Sequence, residues 1–317
     1  MKKKWIILLI SLTFLVTVVV CIVKFLSTDD RPKVAVVLQG LDTQYWNIVK
    51  AGAEKGFREF NIDGKVVAPS FKSEKDVQEY VLKNILNEHP DVLIVSPSPS
   101  PAVMSILKKF TEHKIPVLLI DTDLPLEHKT AYIGTDNFEL GRKADELLAS
   151  GLQPGDEVVL IAGEVISPVS AERVKGATSS LEDAGIKIVE KKIGLPNEPL
   201  PVRKVMKKIL QNHPDAKGIF ATTDIMALNT VKVIREQDYK MPVIGADGII
   251  KMVELVEDGT LPDTVAQNPY DMGYISIENA SKIIKGEKIR RNIDTGVDII
   301  SKDNAKLKLD YLRELLK

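Results

Sequence analysis

The sequence is poor in the residues that build covalent or metal-held frameworks. Its 317 residues include a single cysteine, Cys21, so neither an internal disulfide nor a thiolate metal site is possible. The four histidines, His89, His113, His128 and His213, show no metal-binding spacing. Motifs for a nucleophilic serine, a dinucleotide or a nucleotide phosphate are also missing. We therefore expect neither an enzyme nor a bound cofactor or metal.

An excess of one charge is missing as well. Lysine and arginine total 43 against 44 aspartate and glutamate, and the only run of like charge is Lys2, Lys3 and Lys4. No basic stripe is available to neutralise phosphates, so a nucleic-acid partner is not expected. With 44% apolar, 27% charged and 5% aromatic residues, the composition is ordinary for a folded protein. The length predicts about two domains.

One long apolar run stands near the N-terminus. Residues 5–23 carry no charge, and their length suits a hydrocarbon core of about 30 Å. The preceding lysines predict that the rest of the chain faces outward. The run is long for a signal peptide and lacks a small-residue cleavage pattern, which favours an uncleaved anchor (residues 1–26) and a tether (27–32). A lipid-modified Cys21, in a loose lipoprotein box, and conventional secretion are the alternatives.

Beyond residue 32, apolar runs of strand length alternate with amphipathic stretches of helix length. This alternation is typical of βα units and predicts parallel sheets. The candidate strands are residues 33–39, 65–69, 92–96, 117–121, 132–135, 158–162, 187–191, 218–222, 243–246 and 264–267. The predicted fold class is α/β.

A long-period repeat divides this region into halves. Residues 85–91 resemble residues 209–215 at an offset of 124, and two further pairs of apolar runs repeat at offsets of 126 and 122. These offsets predict two similar lobes of about 125 residues, each a doubly wound parallel sheet. Ligands of such sheets bind outside the carboxyl ends of the strands. Two lobes facing one another would form a binding cleft.

The C-terminal residues lie outside the repeat. A helix is predicted over residues 271–285, and strand-like segments lie at 289–293 and 297–300. The chain is therefore expected to cross between the lobes three times, which makes a three-strand hinge. The predicted domains are residues 33–134 with 268–297 for the N-terminal lobe, and 135–267 with 298–317 for the C-terminal lobe.

Short motifs follow one another across residues 31–302. They are Val36-Val37, Tyr45-Trp46, Ala51-Gly52-Ala53, Pro116-Val117 to Asp121, Gly134-Thr135-Asp136-Asn137 with Gly141, Ser170-Ala171-Glu172-Arg173 with Gly176, Phe220-Ala221 to Asp224 and Leu228, Val243 to Asp247-Gly248, and Ala266-Gln267. Together they resemble type I periplasmic sugar-binding proteins of the ribose-binding and xylose-binding group, relatives of the effector domains of LacI-type repressors. A repressor would need a helix-turn-helix where this chain has its apolar run, so a transcription factor is not expected.

The resemblance implies a monosaccharide held between aromatic rings and polar side chains at strand ends. The implied ligand-binding residues are Tyr45, Trp46, Asp121, Thr122, Arg173, Thr223, Asp247 and Gln267. The apolar face of a pyranose suits an aromatic ring, and its hydroxyls suit carboxylates and a guanidinium. Thr122 and Thr223 depart from the ribose-type pattern, which often has arginine and asparagine there, so the resemblance does not identify the sugar.

Other interpretations of these residues stay open. Trp46 shares an apolar helical stripe with Val49 and Phe57, which is typical of a core residue, and Tyr45 could lie at the cleft rim. Strand-end aspartates are often turn formers or helix caps. Arg173 could pair with an acidic residue on its own helix. Gln267 could satisfy backbone groups at a crossing, and Asn137 is interpreted as a helix cap rather than a ligand.

The resemblance also implies partners in a membrane. Transport receptors of this kind deliver their sugar to the permease subunits of an ABC transporter. A tethered receptor also suits a co-receptor that presents its sugar-bound state to the outer domain of a sensor histidine kinase. Both roles place the folded part on the extracytoplasmic side of the cell membrane.

Overall fold

The computed structural model describes residues 30–69 and 77–316. The strands are β1 (Lys33–Val37), β2 (Asp63–Val67), β3 (Val92–Val95), β4 (Val117–Ile120), β5 (Ala131–Gly134), β6 (Glu157–Ile161), β7 (Lys187–Lys192), β8 (Gly218–Ala221), β9 (Val243–Ile244), β10 (Asp263–Ala266), β11 (Asn292–Asp294) and β12 (Asp298–Ser301). The helices are α1 (Gln44–Glu59), α2 (Val77–Asn87), α3 (Pro101–Glu112), α4 (Asn137–Ser150), α5 (Pro168–Asp183), α6 (Pro199–Asn212), α7 (Asp224–Glu236), α8 (Ile250–Glu257), α9 (Pro269–Ile284) and α10 (Lys302–Leu315).

The first sheet has the strand order β11-β5-β4-β3-β1-β2, and all its pairs are parallel. Its central strands β3 and β4 read Val-Leu-Ile-Val and Val-Leu-Leu-Ile, and every one of these residues is buried. A parallel sheet that is covered on both faces needs such unbroken apolar strands. Helices α1 and α9 cover one face, and α2 and α3 cover the other.

The second sheet has the order β7-β6-β8-β9 and is also parallel. Helices α4 and α5 pack on one face, while α6, α7, α8 and α10 contribute to the other core. The order β9-β8-β6-β7 reproduces β4-β3-β1-β2 of the first sheet. The two segments at residues 85–91 and 209–215 each lead from a helix toward the third strand of a sheet. The predicted α/β fold with two parallel-sheet lobes is confirmed.

Three connections pass between the two lobes, after β5, β10 and β11. The last one leads into β12, which pairs antiparallel with β10 in a separate two-stranded sheet. The described residues from Lys33 onward form one compact unit. The predicted anchor at residues 5–23 lies outside the described residues. Among residues 30–69 and 77–316, no helix is long and apolar enough to span a membrane.

Glycines allow two pairs of helices to pack closely beside the connections. A Cβ atom on Gly176 of α5 would lie 2.0 Å from the carbonyl oxygen of Phe138 in α4. A Cβ on Gly52 of α1 would lie 2.0 Å from the carbonyl oxygen of Tyr270 in α9. No side chain fits at either distance, so both positions need glycine. The α4–α5 contact brings Asn137 within reach of Arg173.

Helix α10 was not predicted from the sequence. Its buried residues Ala305, Leu309 and Leu312 recur at helical spacing, but charged residues separate them and dilute the apolar signal. A capping box at Ser301 and Asn304 begins the helix. The remaining predicted elements are present, with ends shifted by a few residues.

Candidate functional site

The polar candidates converge where the strands of both lobes end. Asp121 directly follows β4, Gln267 directly follows β10, and Asp247 lies just beyond β9. Tyr45 is the second residue of α1, and Arg173 lies in the second turn of α5. Doubly wound sheets place their ligand sites at this edge. Hydrogen bonds join these five side chains into one network.

Asp121 is held by hydroxyl groups. Its Oδ1 accepts a hydrogen bond from Tyr45 at 2.7 Å, and its Oδ2 accepts one from Thr122 at 2.9 Å. Its φ of 62° is in the left-handed region, which aspartate tolerates better than most residues. The hydroxyl of Tyr132 donates to the carbonyl oxygen of Asp121 at 3.0 Å. The backbone and the carboxylate of Asp121 are therefore both fixed in place.

Gln267 connects the two lobes through its amide. Its Oε1 accepts from the hydroxyl of Thr135 at 2.9 Å, and it lies 3.3 Å from the hydroxyl of Tyr45. Its Nε2 donates to Oδ1 of Asp247 at 3.0 Å. The side chain is buried, so an amide with both a donor and an acceptor suits this position. It bonds side chains rather than satisfying the backbone at the crossing.

Arg173 is the largest fully buried side chain among the described residues, at 1% exposure. Its Nη1 donates to Oδ1 of Asp247 at 3.1 Å and to the carbonyl oxygen of Thr222 at 2.6 Å. Its Nε donates to Oδ1 of Asn137 at 2.9 Å. These bonds favour the site interpretation of Arg173 over pairing on its own helix. They use Nε and Nη1, whereas Nη2 has no hydrogen-bond partner among the described residues.

Asp224 positions the loop that carries Asp247. Its carboxylate accepts backbone N–H bonds from Ala246 at 2.8 Å, Asp247 at 3.1 Å and Ile249 at 2.8 Å. Its own backbone N–H donates to Oδ2 of Asp247 at 3.1 Å. Gly248 adopts a φ of 74° within this loop, which favours glycine. This role was not predicted from the sequence, although Asp224 lies in the motif that runs from Phe220-Ala221 to Leu228.

Burial dominates the electrostatics of the site. Desolvation raises the pKa of Asp121, and the hydrogen bonds from Tyr45 and Thr122 offset part of that rise. Burial and the neighbouring Asp121 carboxylate raise the pKa of Tyr45 well above its usual value. Desolvation, together with the charge of Asp247, raises the pKa of Asp224 to about 7. Tyr45 therefore remains a neutral donor to Asp121.

Trp46 and Thr223, the remaining predicted residues, take no part in the hydrogen bonds of the network described above. Trp46 is buried in the core with Val49 and Phe57, and its ring stands edge-on to Tyr45 at a centroid distance of 5.0 Å. Its packing favours the core interpretation. Thr223 caps α7 through the N–H of Met226 and donates to Asn197. Among the described residues, neither of these side-chain bonds joins Thr223 to the network around Asp121.

Three polar residues at the network were not predicted as ligands, namely Gln39, Asn137 and Thr135, the last of which donates to Gln267. Gln39 lies beyond the end of β1, and its Nε2 is 3.3 Å from Oγ1 of Thr122. A polar residue after an apolar strand is the signal that also identified Asp121. Asn137 was interpreted as a helix cap, which is wrong, because Asp136 caps α4 through the N–H of Glu139. Asn137 instead holds Arg173.

The arrangement suits a neutral ligand that has several hydroxyl groups. Carboxylates accept hydrogen bonds from hydroxyls, and a guanidinium donates to them, both with charge assistance. Among the described residues, no group of three or more histidine, cysteine or acidic side chains could hold a metal ion.

Comparisons with known proteins agree with this chemistry. The D-ribose/D-allose-binding protein of Pseudomonas aeruginosa is 26% identical over 290 residues, 87% of this chain and 90% of that protein. Among solved structures, the glucose-galactose binding protein GanP of Geobacillus stearothermophilus is similar, with a TM-score of 0.81 and 26% identity, over 87% of this chain and 99% of that one. A periplasmic solute binding protein of an ABC transporter from Actinobacillus succinogenes, with bound D-allose, gives 0.80 and 26%, over 87% and 100%.

These relatives are binding proteins and not enzymes, in agreement with the expectation from the sequence. The family match extends from the first strand of the first sheet to a point just beyond α9. Because residues 34–288 match the family model of the periplasmic binding protein domain, this chain belongs to the periplasmic binding protein family.

Proposed function

We propose that this chain is an extracytoplasmic, membrane-tethered solute-binding protein that captures one monosaccharide, a pentose or hexose, between its lobes and delivers it to an ABC-type transporter. The observation that carries the proposal is the network in which Gln267 links Asp121 through Tyr45 to Asp247 and Arg173. The names of the relatives, which mention ribose, allose, glucose and galactose, support a sugar as the ligand. The three connections between the lobes serve as the hinge.

The network matches a sugar in its balance of donors and acceptors. Each sugar hydroxyl donates one hydrogen bond and accepts others, so a set of hydroxyls needs both acceptors and donors around it. Asp121 and Asp247 supply acceptors, and Arg173 supplies donors at Nη2. Tyr45 adds an aromatic ring beside these groups, and the C–H face of a sugar packs favourably on the face of such a ring.

Fluorescence titration tests the binding proposal. The sequence contains two tryptophans, Trp5 and Trp46, so a Trp5→Phe variant of the full chain in detergent micelles reports on Trp46 alone. Because Trp46 contacts the ring of Tyr45, a sugar that engages Tyr45 is expected to change its emission. Calorimetry with the same panel of pentoses and hexoses provides an independent measurement. A folded protein that gives no response to any sugar in either assay would contradict the proposal.

The predicted anchor favours a second function, presentation of the sugar-bound state to a sensor histidine kinase. The tether at residues 27–32 is six residues long and spans at most roughly 20 Å, which keeps the cleft close to the membrane in both roles. Deletion of the gene separates them in cells that express the transport genes constitutively. Loss of labelled sugar uptake supports transport. Normal uptake with loss of sugar-dependent induction would leave only the sensor role.

A further inference from the structure

Helix α8 in the C-terminal lobe begins without a capping side chain of its own. Its N-cap residue is Ile249, which makes no side-chain cap bond. The N–H of Ile249 donates to Asp224 of the same lobe. The next N–H, that of Ile250, donates to Oε1 of Gln44 at 2.7 Å. Gln44 is the first residue of α1, so this cap comes from the opposite lobe.

The first turn of α1 makes a second contact with the C-terminal lobe. Ile48 lies one turn after Gln44, on the same face of the helix. It is 1% exposed and belongs to the core cluster that contains Met252 of α8 and Ile300 of β12. One face of α1 therefore bridges the lobes through an apolar side chain and, at its end, a polar one. The hydrogen bond from the N–H of Ile250 to Gln44 forms only when the start of α8 lies against α1.

We propose that Gln44 is an affinity-determining latch of the cleft, which caps α8 across the lobes in the closed form. This role rests on the proposed sugar binding only where it concerns affinity; the closure itself does not depend on a ligand. In an open form, water replaces Gln44 at the N–H of Ile250. For a ligand that needs the closed form, the apparent dissociation constant equals the intrinsic one divided by the fraction of molecules that are closed, so affinity falls as that fraction falls. Gln44 thus contributes to affinity without contacting the sugar.

The expected effect is modest, because the bond with Ile250 exchanges with a bond to water. A typical hydrogen bond of this kind changes an equilibrium constant by about two- to tenfold. Gln44→Leu keeps the size of the side chain and removes the acceptor. Gln44→Glu keeps an oxygen at the same position, and a carboxylate at a helix N-terminus is favourable. Gln153→Leu is the control, because Gln153 is exposed and its side chain forms no hydrogen bond within the described part of the chain.

Distances between the lobes report on closure directly. Cys21 is the only cysteine, so a Cys21→Ser background accepts two new cysteines for spin labels. Lys108→Cys on α3 and Lys208→Cys on α6 place labels at exposed positions of opposite lobes. Double electron–electron resonance on the full chain in detergent micelles gives the distance distribution with and without sugar. Calorimetry gives the dissociation constant for each sugar that binds the wild type.

Gln44→Leu is expected to lower the share of molecules in the short-distance population without sugar and to raise the dissociation constant by about two- to tenfold. Gln153→Leu is expected to retain the wild-type distance distribution and dissociation constant. Gln44→Glu is expected to retain them as well or to increase the closed population. Weaker binding by Gln44→Leu with an unchanged distance distribution would mean that Gln44 contacts the sugar, and it would overturn the latch. Loss of closure in Gln44→Glu would overturn it as well. If no sugar binds the wild type, the proposed function fails, while the distances still decide the latch.

Discussion

The substitution Asp224→Asn isolates the residue that positions Asp247. In the native protein, Oδ1 of Asp224 accepts two backbone N–H groups and Oδ2 accepts a third, at 2.8 to 3.1 Å. An amide has the same shape but only one oxygen. Whichever way the asparagine is oriented, at least one N–H of the loop at residues 246–249 then faces an NH₂ group. The loop loses an acceptor and gains a donor that has no partner.

The cost follows from burial. Asp224 is 0% exposed, so water does not replace the lost acceptor. An unsatisfied buried donor costs about 1–3 kcal/mol, and the lost bond is charge-assisted whenever Asp224 is ionised. We expect the free energy of unfolding to fall by about 2–3 kcal/mol, or the melting temperature by roughly 4–12 °C. Sugar affinity is expected to fall with it, because Asp247 loses its fixed orientation.

The assay combines urea unfolding with sugar calorimetry at a temperature where both proteins are folded. Asp145→Asn is the matched control, because Asp145 is also a fully buried carboxyl of the C-terminal lobe, yet neither of its oxygens has a hydrogen-bond partner among the described residues. A double variant with Asp247→Asn tests the coupling. If Asp224 acts through Asp247, the effects of the two substitutions on affinity are not additive. Equal stability of the Asp224 and Asp145 variants, or strictly additive effects, would refute this reasoning.

Three further predictions concern the site, pH and packing. Asp247→Ala should raise the dissociation constant for sugar at least about tenfold, measured by calorimetry, whereas Glu257→Ala should leave it unchanged; equal affinities would remove Asp247 from the site. Burial raises the pKa of Asp145 well above its usual value, so its contribution to stability is present at low pH and lost as pH rises through the folded-state pKa. Asp145→Asn should therefore become more stable relative to the wild type from pH 5 to pH 8 in thermal unfolding, and a constant difference would contradict this. Gly176→Ala should lower the melting temperature because its Cβ would meet a backbone oxygen at 2.0 Å, whereas Gly151→Ala, whose nearest contact is 4.0 Å away, should not.

The parts of this molecule that follow from local pattern were predictable. Apolar strands such as β3 and β4 are visible as short runs, and the repeat at residues 85–91 and 209–215 identified equivalent positions in the two sheets. An aspartate after such a strand, as at Asp121, then falls at the ligand edge of the sheet. The partners of these residues were not predictable in the same way. Arg173 meets Asn137 because α4 and α5 approach closely at Gly176, and that approach is a property of packing rather than of either helix alone.

The charged partners of Arg173 and Asp121 indicate which charge and which hydrogen-bonding groups a ligand must have. Arg173 forms an ion pair with Asp247, whereas no ion pair among the described residues includes Asp121. The side-chain bonds of Asp121 come from the hydroxyls of Tyr45 and Thr122, one to each oxygen. A carboxylate has about four acceptor positions, so roughly two remain. Because burial opposes the charge of Asp121, each donor added there stabilises the ionised form, and an added anion would do the opposite. The ligand expected beside Asp121 is therefore one that offers hydroxyl donors and carries no negative charge.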